Sequence, residues 1–175
     1  DDLKDGGASI WVETIAAIRK QNPQTTMETL IPDFKGKEKD IQEIINAKPE
    51  VVSHNLETVR RLTKKVRIQA KYDRSLDTLR LLFEGGIRTK SGIMLGLGET
   101  EEEIIEAMKD LRNVGVKILT LGQYLQPSKK HLPVIEFITP DQFTYLKEVG
   151  LSLGFEHVES SPLVRSSYHA EKHIK

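Results

Sequence analysis

One stretch decides the fold of this chain: Lys90-Ser-Gly-Ile-Met-Leu-Gly-Leu-Gly-Glu-Thr-Glu-Glu-Glu103. Its first part, 91–97, is short, apolar and interrupted by glycine, which is typical of a strand buried on both faces. Gly96 and Gly98, one residue apart, favour a tight turn or a close approach of the backbone to a ligand. The stretch is not a dinucleotide-binding fingerprint, because Glu101 stands where the third glycine of G-x-G-x-x-G would be.

The second half of this stretch predicts the start of a helix. Thr100 and Glu103 have the T-x-x-E spacing of a capping box, with Thr100 as the N-cap residue. Apolar residues then recur at helical spacing, and Gly115 stands where a helix C-cap is expected. The stretch therefore predicts a strand-loop-helix unit whose loop lies at the carboxyl end of the strand, where α/β folds place their sites. An ordinary strand-to-helix turn that binds nothing fits this spacing equally well.

The composition narrows the class of protein. The 175 residues carry 26 basic and 26 acidic side chains, so the overall charge favours neither a nucleic acid nor an anionic membrane as partner. No apolar run approaches the length of about 18 residues that a membrane span needs. Cysteine is absent, which excludes disulfides, thiolate metal sites and a cysteine nucleophile within this sequence. The opening is polar, without a signal peptide or an initiator methionine, so we expect a cytoplasmic protein and a piece of a longer chain.

The hydrophobic pattern alternates helices with strands along the whole chain. It predicts helices near 10–21, 37–47, 73–84, 101–114 and 140–153, and strands near 26–31, 51–54, 91–97, 117–124 and 155–158. A further short helix is predicted to start at 55–58 and to end near Leu62. This order calls for an α/β fold, with a parallel sheet and helices outside it. No internal repeat divides the chain, so it should be one domain or part of one.

Polar side chains gather where the predicted strands end, which is the layout of a barrel site. They are His54, Asn55 and Glu57 after one strand, Glu99 after the next, and Gln123 and Tyr124 after the third. Each has a structural alternative. A buried histidine is more often hydrogen-bonded in a core than a ligand, and Asn55 and Glu57 could cap the helix that follows.

Two further stretches are rich in polar groups. Lys129, Lys130 and His131 could bind an acidic partner or a phosphate, although a solvated loop explains them as well. The tail 164–169 is polar and follows the last predicted strand. Its serine and histidine have no acid partner at triad spacing. His169 and His173 are four residues apart and could bind a metal if that segment were helical.

Several motifs in chain order carry a resemblance to a known family. They are Asp1-Asp2-Leu3 with Asp5-Gly6-Gly7, Leu30-Ile31-Pro32-Asp33-Phe34, His54-Asn55-Leu56-Glu57-Thr58-Val59, the stretch from Thr89 to Thr100, Gly122-Gln123-Tyr124-Leu125-Gln126-Pro127 with His131-Leu132-Pro133, and Val164-Arg165-Ser166-Ser167-Tyr168-His169-Ala170. Together they resemble lipoyl synthases, a family within the radical S-adenosylmethionine (SAM) superfamily. The motifs run from the first residue to within a few residues of the last.

The resemblance implies a partial (βα) barrel of the radical SAM type, with parallel strands and outer helices. Such enzymes insert two sulfur atoms, at C6 and C8 of an octanoyl chain attached to a lysine of a carrier domain. One [4Fe–4S] cluster cleaves SAM to a 5′-deoxyadenosyl radical that takes hydrogen from carbon, and a second cluster supplies the sulfur. Ser166 is the implied iron ligand of that second cluster. The implied partners are octanoylated lipoyl carrier domains or the glycine cleavage H protein, and an electron donor such as flavodoxin or ferredoxin.

The same resemblance suggests a binding site for SAM. The turn formed by Gly96, Gly98 and Glu99 resembles the stretch that approaches the adenine in radical SAM enzymes. Asn55, Glu57 and Lys90 are our candidates for contacts with the ribose, amino and carboxylate groups, from their places at strand ends. Gln123, after the next strand, completes the predicted cofactor site.

The sequence departs from the family in one respect, because all six cluster cysteines are missing. We expect them to precede Asp1 in the complete protein, together with the first strands. On this expectation 1–159 form an N-terminally truncated barrel and 160–175 a tail with the R-S-S-Y-H motif. The chain alone should bind neither cluster, and its tail should be disordered. An uncovered sheet edge should make it self-associate.

Two other functions are compatible with the sequence. A different radical SAM enzyme could use the same barrel, although it would have no reason to carry Arg165-Ser166-Ser167-Tyr168. Alternatively, the chain could be a non-catalytic fragment or module that binds an acylated carrier domain, with Lys129 and Lys130 meeting its acidic surface.

Overall fold

The computed structural model describes residues 3–173, so Asp1 and Asp2 of the family motif and the last two residues of the tail lie outside the described residues. The helices are α1 (Ala8–Gln21), α2 (Glu38–Ala47), α3 (Thr63–Val66), α4 (Tyr72–Glu84), α5 (Glu101–Asn113) and α6 (Pro140–Ser152). The strands are β1 (Glu28–Leu30), β2 (Val51–Ser53), β3 (Arg88–Leu95), β4 (Ile118–Gln123) and β5 (His157–Ser160). None of the helices in this range is long and apolar enough to cross a membrane.

The five strands form one parallel sheet in which each strand pairs with the strand that precedes it in the chain, in the order β1-β2-β3-β4-β5. Parallel neighbours need a crossover, and a helix supplies it each time. This arrangement confirms the predicted α/β fold with a parallel sheet and outer helices. Strands β1 and β5 form the two edges, and pairing of an edge with another molecule stays a prediction.

Alternate residues of the central strands face opposite sides of the sheet. Ile93 and Leu95 of β3 lie in the main core with apolar side chains of the outer helices, such as Met108 and Leu111 of α5. Gly92 and Met94 face the other side, which we call the lumen face. A second core near β1 and β2 contains Ile31, Phe34, Ile41, Ile44, Val52 and Leu82.

The predicted helix boundaries in the second half of the chain are confirmed. The Thr100 side chain accepts a hydrogen bond from the Glu103 backbone nitrogen, and the Glu103 carboxylate accepts one from the Thr100 nitrogen, which completes the capping box. At the start of α6, the Thr139 side chain accepts a hydrogen bond from the Gln142 nitrogen, and Pro140 occupies the first helical position. Gly115, after α5, has a φ of 89°, which glycine adopts without strain.

The structure corrects the prediction for 55–58, because no helix begins there. The Glu57 nitrogen donates to the Gly92 oxygen at 2.9 Å, and the Glu57 oxygen accepts from the Met94 nitrogen at 2.9 Å. Residue 57 thus continues the ladder between β2 and β3. These sheet bonds satisfy backbone groups that a helix start would leave unpaired, so a helical turn follows only at Arg60–Leu62.

Smaller differences concern where elements begin. Helix α1 starts at Ala8 rather than after Ser9, because the Asp5 carboxylate accepts from both the nitrogen and the hydroxyl of Ser9. Strand β3 begins at Arg88, before the predicted apolar run. Strand β5 is His157–Ser160 rather than 155–158. The hydrophobic pattern did not predict the last two boundaries, because the residues there are polar. A strand is defined by its paired backbone, whatever its side chains are.

Candidate functional site

A cavity of about 210 Å³ opens on the lumen face, at the carboxyl ends of the central strands. Four of the predicted site residues line it together: Asn55, Glu57, Gln123 and Ser166. The rest of its wall consists mainly of Gly92 and Met94 from β3, Thr120 and Gly122 from β4, and Val164 and Arg165 from the tail. The predicted convergence at the strand ends is therefore found for Asn55, Glu57 and Gln123, while Ser166 belongs to the tail, which forms an additional wall.

Asn55 and Glu57 form the polar side of this cavity. The Asn55 amide lies close enough to the Glu57 carboxyl to lower its pKa. The Asn55 Oδ1 atom is buried and has no hydrogen-bond partner among the described residues. A buried acceptor without a donor is costly, and a ligand that donates a hydrogen bond would satisfy it. The site therefore suits a hydroxyl or ammonium group.

Glu57 combines a buried carboxyl group with an unusual backbone conformation. Burial raises the pKa of its carboxyl, while the Asn55 amide and the positive charge of Arg67 oppose the rise. Its φ of 70° lies in the left-handed region, which non-glycine residues rarely adopt. Such strain persists where the surroundings impose it, and here the two sheet bonds of residue 57 do so. The carboxylate is thereby fixed over the cavity.

Two glycines leave room for a ligand in the cavity. A Cβ atom on Gly92 would lie 2.6 Å from the Thr120 hydroxyl oxygen and 3.1 Å from Asn55 Oδ1. A Cβ atom on Gly122 would lie 2.4 Å from the Val164 carbonyl oxygen. Side chains at these positions would fill the floor of the cavity or displace the tail. The close approach of other groups therefore explains why both strand positions carry glycine.

The turn after β3 does not line this cavity. The Glu99 carboxylate accepts hydrogen bonds from the backbone nitrogens of Gly96 and Leu97, the latter at 2.9 Å. The Gly96 oxygen accepts from the Ile135 nitrogen at 2.9 Å. Glu99 therefore stabilises the turn itself, and Gly98 is exposed. A contact of this turn with adenine stays a prediction.

Gln123 ties this turn to the segment 134–138. Its Nε2 atom donates to the Leu95 and Glu136 carbonyl oxygens, both at 3.1 Å, and its Oε1 accepts from the Ile138 nitrogen at 2.9 Å. The side chain lines the cavity, yet both ends of its amide are occupied within the chain. These bonds hold the turn against 134–138, and a contact of Gln123 with the cofactor stays a prediction.

Lys90 lies on the lumen face but away from the cavity. Its ammonium is fully buried and contacts both carboxylate oxygens of Glu28, at 2.8 and 3.0 Å. It also donates to Nδ1 of His173 at 3.3 Å. Burial, the Lys90 charge and His157 lower the pKa of His173 to about 4, so the imidazole is neutral at pH 7. The structure thus gives Lys90 internal partners, and its contact with a ligand carboxylate stays a prediction.

The structure places His54 in the core and the loop 129–131 at the surface. These are the structural alternatives that the sequence left open. The His54 ring is buried, with one nitrogen 3.0 Å from the Ile31 oxygen and the other 3.0 Å from the Ser75 hydroxyl. Burial lowers the pKa of His54, which is a satisfied core histidine. In the loop, the His131 ring contacts the Ser128 hydroxyl at 2.9 Å, and both lysines are exposed.

The tail packs against the carboxyl ends of β4 and β5, so the expectation of disorder is wrong for its described part, 160–173. The Ser161 nitrogen donates to the Leu121 oxygen at 3.2 Å, and the Gln123 nitrogen donates to the Pro162 oxygen at 3.3 Å. Val164 is buried beside Gly122. These contacts bring Ser166 to the cavity wall. The division into a barrel over 1–159 and a tail over 160–175 stays a prediction.

The proposed metal pair of His169 and His173 does not form. His169 contacts the Glu171 carboxylate at 3.2 Å, whereas His173 is buried beside Lys90. The segment is a short 3-10 turn, Ala170–Lys172, rather than an α-helix. Within residues 3–173, no group of three or more His, Asp or Glu side chains could hold a metal ion.

We expect Gly122→Ala to loosen the tail, because the new methyl group would overlap the Val164 carbonyl oxygen. Cleavage by trypsin after the exposed Arg165 should accelerate about tenfold, since proteolysis follows the population of the open form. Gly92→Ala is the control, because its methyl group meets Thr120 and Asn55 instead of the tail. Equal cleavage rates in the two variants would contradict this role of Gly122.

The sequence missed part of the cavity wall, chiefly Gly92, Met94, Thr120, Gly122 and Arg165. A usable signal was present for the strand residues. Positions 92 and 94, and 120 and 122, alternate with apolar residues that face the helices, and two of the four are glycine. Arg165 has no local signal, because only the fold of the tail brings it to the cavity.

Comparison with known proteins identifies the class. The sequence profile of the Radical SAM superfamily matches residues 6–111, which is more than half of the chain. The chain therefore belongs to the radical SAM superfamily. It is 69% identical to lipoyl synthase of Flavobacterium johnsoniae over 175 residues, which cover 99% of this chain and 61% of that protein. It is 65% identical to mitochondrial lipoyl synthase of Nematostella vectensis, with 99% and 60% covered.

These matches confirm the resemblance to lipoyl synthases that the motifs indicated. The chain spans about 61% of the length of the Flavobacterium relative. Solved structures agree on the fold alone. A domain of pyruvate-formate lyase-activating enzyme from Bacteroides vulgatus has a TM-score of 0.68 at 10% identity, covering 88% of this chain and 91% of that one. Methylornithine synthase has a TM-score of 0.63 at 14% identity, covering 88% and 52%.

Proposed function

We propose that the full-length protein is a lipoyl synthase, which inserts two sulfur atoms at C6 and C8 of a protein-bound octanoyl group. One observation carries the proposal. The 69% identity to the Flavobacterium lipoyl synthase extends over 99% of this chain, so it includes the tail as well as the barrel. A likeness of the barrel alone would support only a radical SAM enzyme, since many functions share one fold.

The cavity fits part of SAM. The unpaired Asn55 Oδ1 and the Glu57 carboxylate are acceptors, and a ribose hydroxyl or the SAM ammonium is a matching donor. Gly92 and Gly122 leave the space that a side chain would fill. The Gly96–Glu99 turn follows β3, the strand that contains Gly92. It is our candidate for the contact with the adenine of SAM. When bound, SAM and its [4Fe–4S] cluster supply a carbon radical that removes hydrogen from the octanoyl chain.

Ser166 is the proposed ligand of the second, sulfur-supplying [4Fe–4S] cluster. It is partly exposed and lies on the wall of the cavity that we assign to SAM. A serine oxygen is a harder ligand than the thiolates that usually hold such clusters. The sequence contains no cysteine, so these 175 residues contain none of the thiolate ligands that either cluster needs.

The proposed partners follow from the reaction. The octanoyl substrate is presented by a lipoyl carrier domain or by the glycine cleavage H protein, and Lys129 and Lys130 are one candidate contact for an acidic carrier surface. An electron donor such as flavodoxin or ferredoxin supplies the electrons for SAM cleavage.

The experiment uses the full-length protein purified without oxygen. We expect about eight iron atoms per chain, as two [4Fe–4S] clusters require, and lipoyl product from an octanoylated peptide. Ser166→Ala should lose the product and part of the iron. Ser167→Ala is the matched control, because Ser167 is exposed and does not line the cavity. The Ser167→Ala protein should retain both its iron and the formation of lipoyl product.

One outcome would contradict the proposed reaction, and another would contradict only the role of Ser166. About four iron atoms and no lipoyl product would indicate another radical SAM enzyme with one [4Fe–4S] cluster. Equal activity of the Ser166→Ala and Ser167→Ala proteins would remove the ligand role of Ser166 while leaving sulfur insertion in place.

A further inference from the structure

The segment 60–74, which we call the basic segment, concentrates positive charge in a chain whose net charge is zero. Its only acidic residue is Asp73, and its cationic residues are Arg60, Arg61, Lys64, Lys65, Arg67, Lys71 and Arg74. It follows the carboxyl end of β2 and contains α3 and the start of α4. The rest of the sequence is therefore net acidic, and the charge here is a local feature.

The arginines of this segment have internal partners, whereas three lysines do not. Arg61 pairs with Glu103, with Nε 2.6 Å from Oε1, and Arg74 Nε lies 2.7 Å from Asp33 Oδ2. Lys64, Lys65 and Lys71 are exposed and form no ion pair with any residue in the described range. Arginines thus hold the segment in place, and the lysines remain available to a partner.

An exposed apolar side chain lies among these charges. Ile68 is 90% exposed, more than any other large hydrophobic residue in 3–173. It borders a second cavity of about 690 Å³, together with Arg67, Arg74 and Asp33. A central apolar residue with a charged rim is the usual composition of a protein–protein interface. Tyr72, the one aromatic residue of the segment, is buried, so the surface offers no platform for nucleic-acid bases.

The basic segment adjoins the candidate SAM cavity. The Arg67 guanidinium donates to the Asn55 carbonyl oxygen at 2.9 Å, and the Asn55 side chain lines that cavity. A partner docked on the basic segment would therefore stand at the rim of the site. This is the place from which a long acyl-lysine side chain could enter it.

We propose that the basic segment docks the acidic protein domain that presents the acylated lysine, with Ile68 as the apolar anchor and Lys64, Lys65 and Lys71 as the charged rim. The identity of the partner rests on the proposed function, while the surface itself rests on charge and exposure. Opposite charge across such a rim accelerates association, and an apolar anchor slows dissociation.

The first test reverses the rim charges in the full-length protein, as Lys64→Glu with Lys65→Glu and Lys71→Glu. The rate of association with an octanoylated carrier domain should fall about tenfold at low ionic strength. Its dependence on salt should flatten. Turnover of a short octanoylated peptide should remain unchanged, because the peptide has no acidic surface. The matched control carries the same charge change at Lys20, Lys39 and Lys147, which are exposed on α1, α2 and α6.

The second test removes the anchor. Ile68→Ser should leave folding intact, because the side chain is exposed. It should accelerate dissociation of the carrier domain about tenfold, since central apolar contacts govern the lifetime of a complex. Together the two variants separate an effect on association from an effect on dissociation.

The outcomes separate the docking surface from the proposed reaction. Unchanged carrier kinetics in both variants, with peptide still converted, would overturn the docking surface and leave sulfur insertion in place. If the wild type makes no product from peptide, the reaction fails, while the carrier kinetics still decide the surface. A single-stranded oligonucleotide that binds the wild type but not the triple variant, with no carrier binding, would make this a nucleic-acid surface and overturn the proposal.

Discussion

Replacing Gly96 with alanine should lower the free energy of unfolding by about 3 kcal/mol or more. Gly96 has a φ of 102°, where an L side chain is strained. A Cβ atom there would lie 2.3 Å from the Glu136 carbonyl oxygen and 2.3 Å from Gln123 Nε2. The backbone oxygen cannot move without shifting the segment 134–138. Urea denaturation of the full-length protein, followed by circular dichroism, measures the change.

Gly98→Ala is the matched control for this prediction. Gly98 has nearly the same φ, 98°, but a Cβ atom there would meet nothing closer than Ile135 at 3.7 Å. The free energy of unfolding of the control should therefore fall only by the cost of the strained backbone, about 1–2 kcal/mol. The difference between the variants measures the close contact with Gln123 and Glu136. Equal losses would show that this contact is not the reason for glycine at position 96.

Lys90→Met should be the second strongly destabilising change, at about 3–5 kcal/mol. It leaves the Glu28 carboxylate on the lumen face without the ammonium that now lies 2.8 Å away. The Glu28 side chain is only 15% exposed, so solvent compensates little for the loss of its partner. The same denaturation measurement applies, and a loss below about 1 kcal/mol would contradict the predicted dependence of Glu28 on Lys90.

Two comparison variants sharpen this test. Lys90→Met with Glu28→Leu removes both charges and should restore most of the stability. Arg80→Met removes an exposed partner of Glu84, 3.2 Å away on α4, and should cost less than about 0.5 kcal/mol. The double variant also decides the role of Lys90. If it folds but no longer binds SAM, the Lys90–Glu28 pair acts in cofactor binding, and if binding survives, Lys90 is structural.

Local signals in the sequence predicted the frame of this fold well. The capping box at Thr100, the proline at position 140 and the glycine after α5 depend on contacts within a few residues. The order of helices and strands predicted the parallel sheet, because each strand pairs with its neighbour in the chain. Asn55, Glu57 and Gln123 could be placed together because strand ends meet at one edge, whereas Ser166 was implied only by the family resemblance.

The environment of Lys90 could not be predicted in this way. Its partners Glu28 and His173 lie 62 and 83 residues away in the sequence. No local pattern shows which of many charged residues will face it across the lumen. The prediction of a helix start at 55–58 was wrong for a similar reason. Those residues suit a helix start equally well, and only hydrogen bonds to β3 decide between the two.

The order of strand pairing has a consequence for how the chain folds during synthesis. Because every strand pairs with the one just before it, the sheet can grow in the direction in which the ribosome delivers the chain. The contact of His173 with Lys90 instead closes a loop of 83 residues and can form only after His173 has been synthesised. The nascent sheet therefore keeps the lumen face around Lys90 uncovered until residue 173 has been synthesised, and this interval is when chaperones and binding partners have access to it.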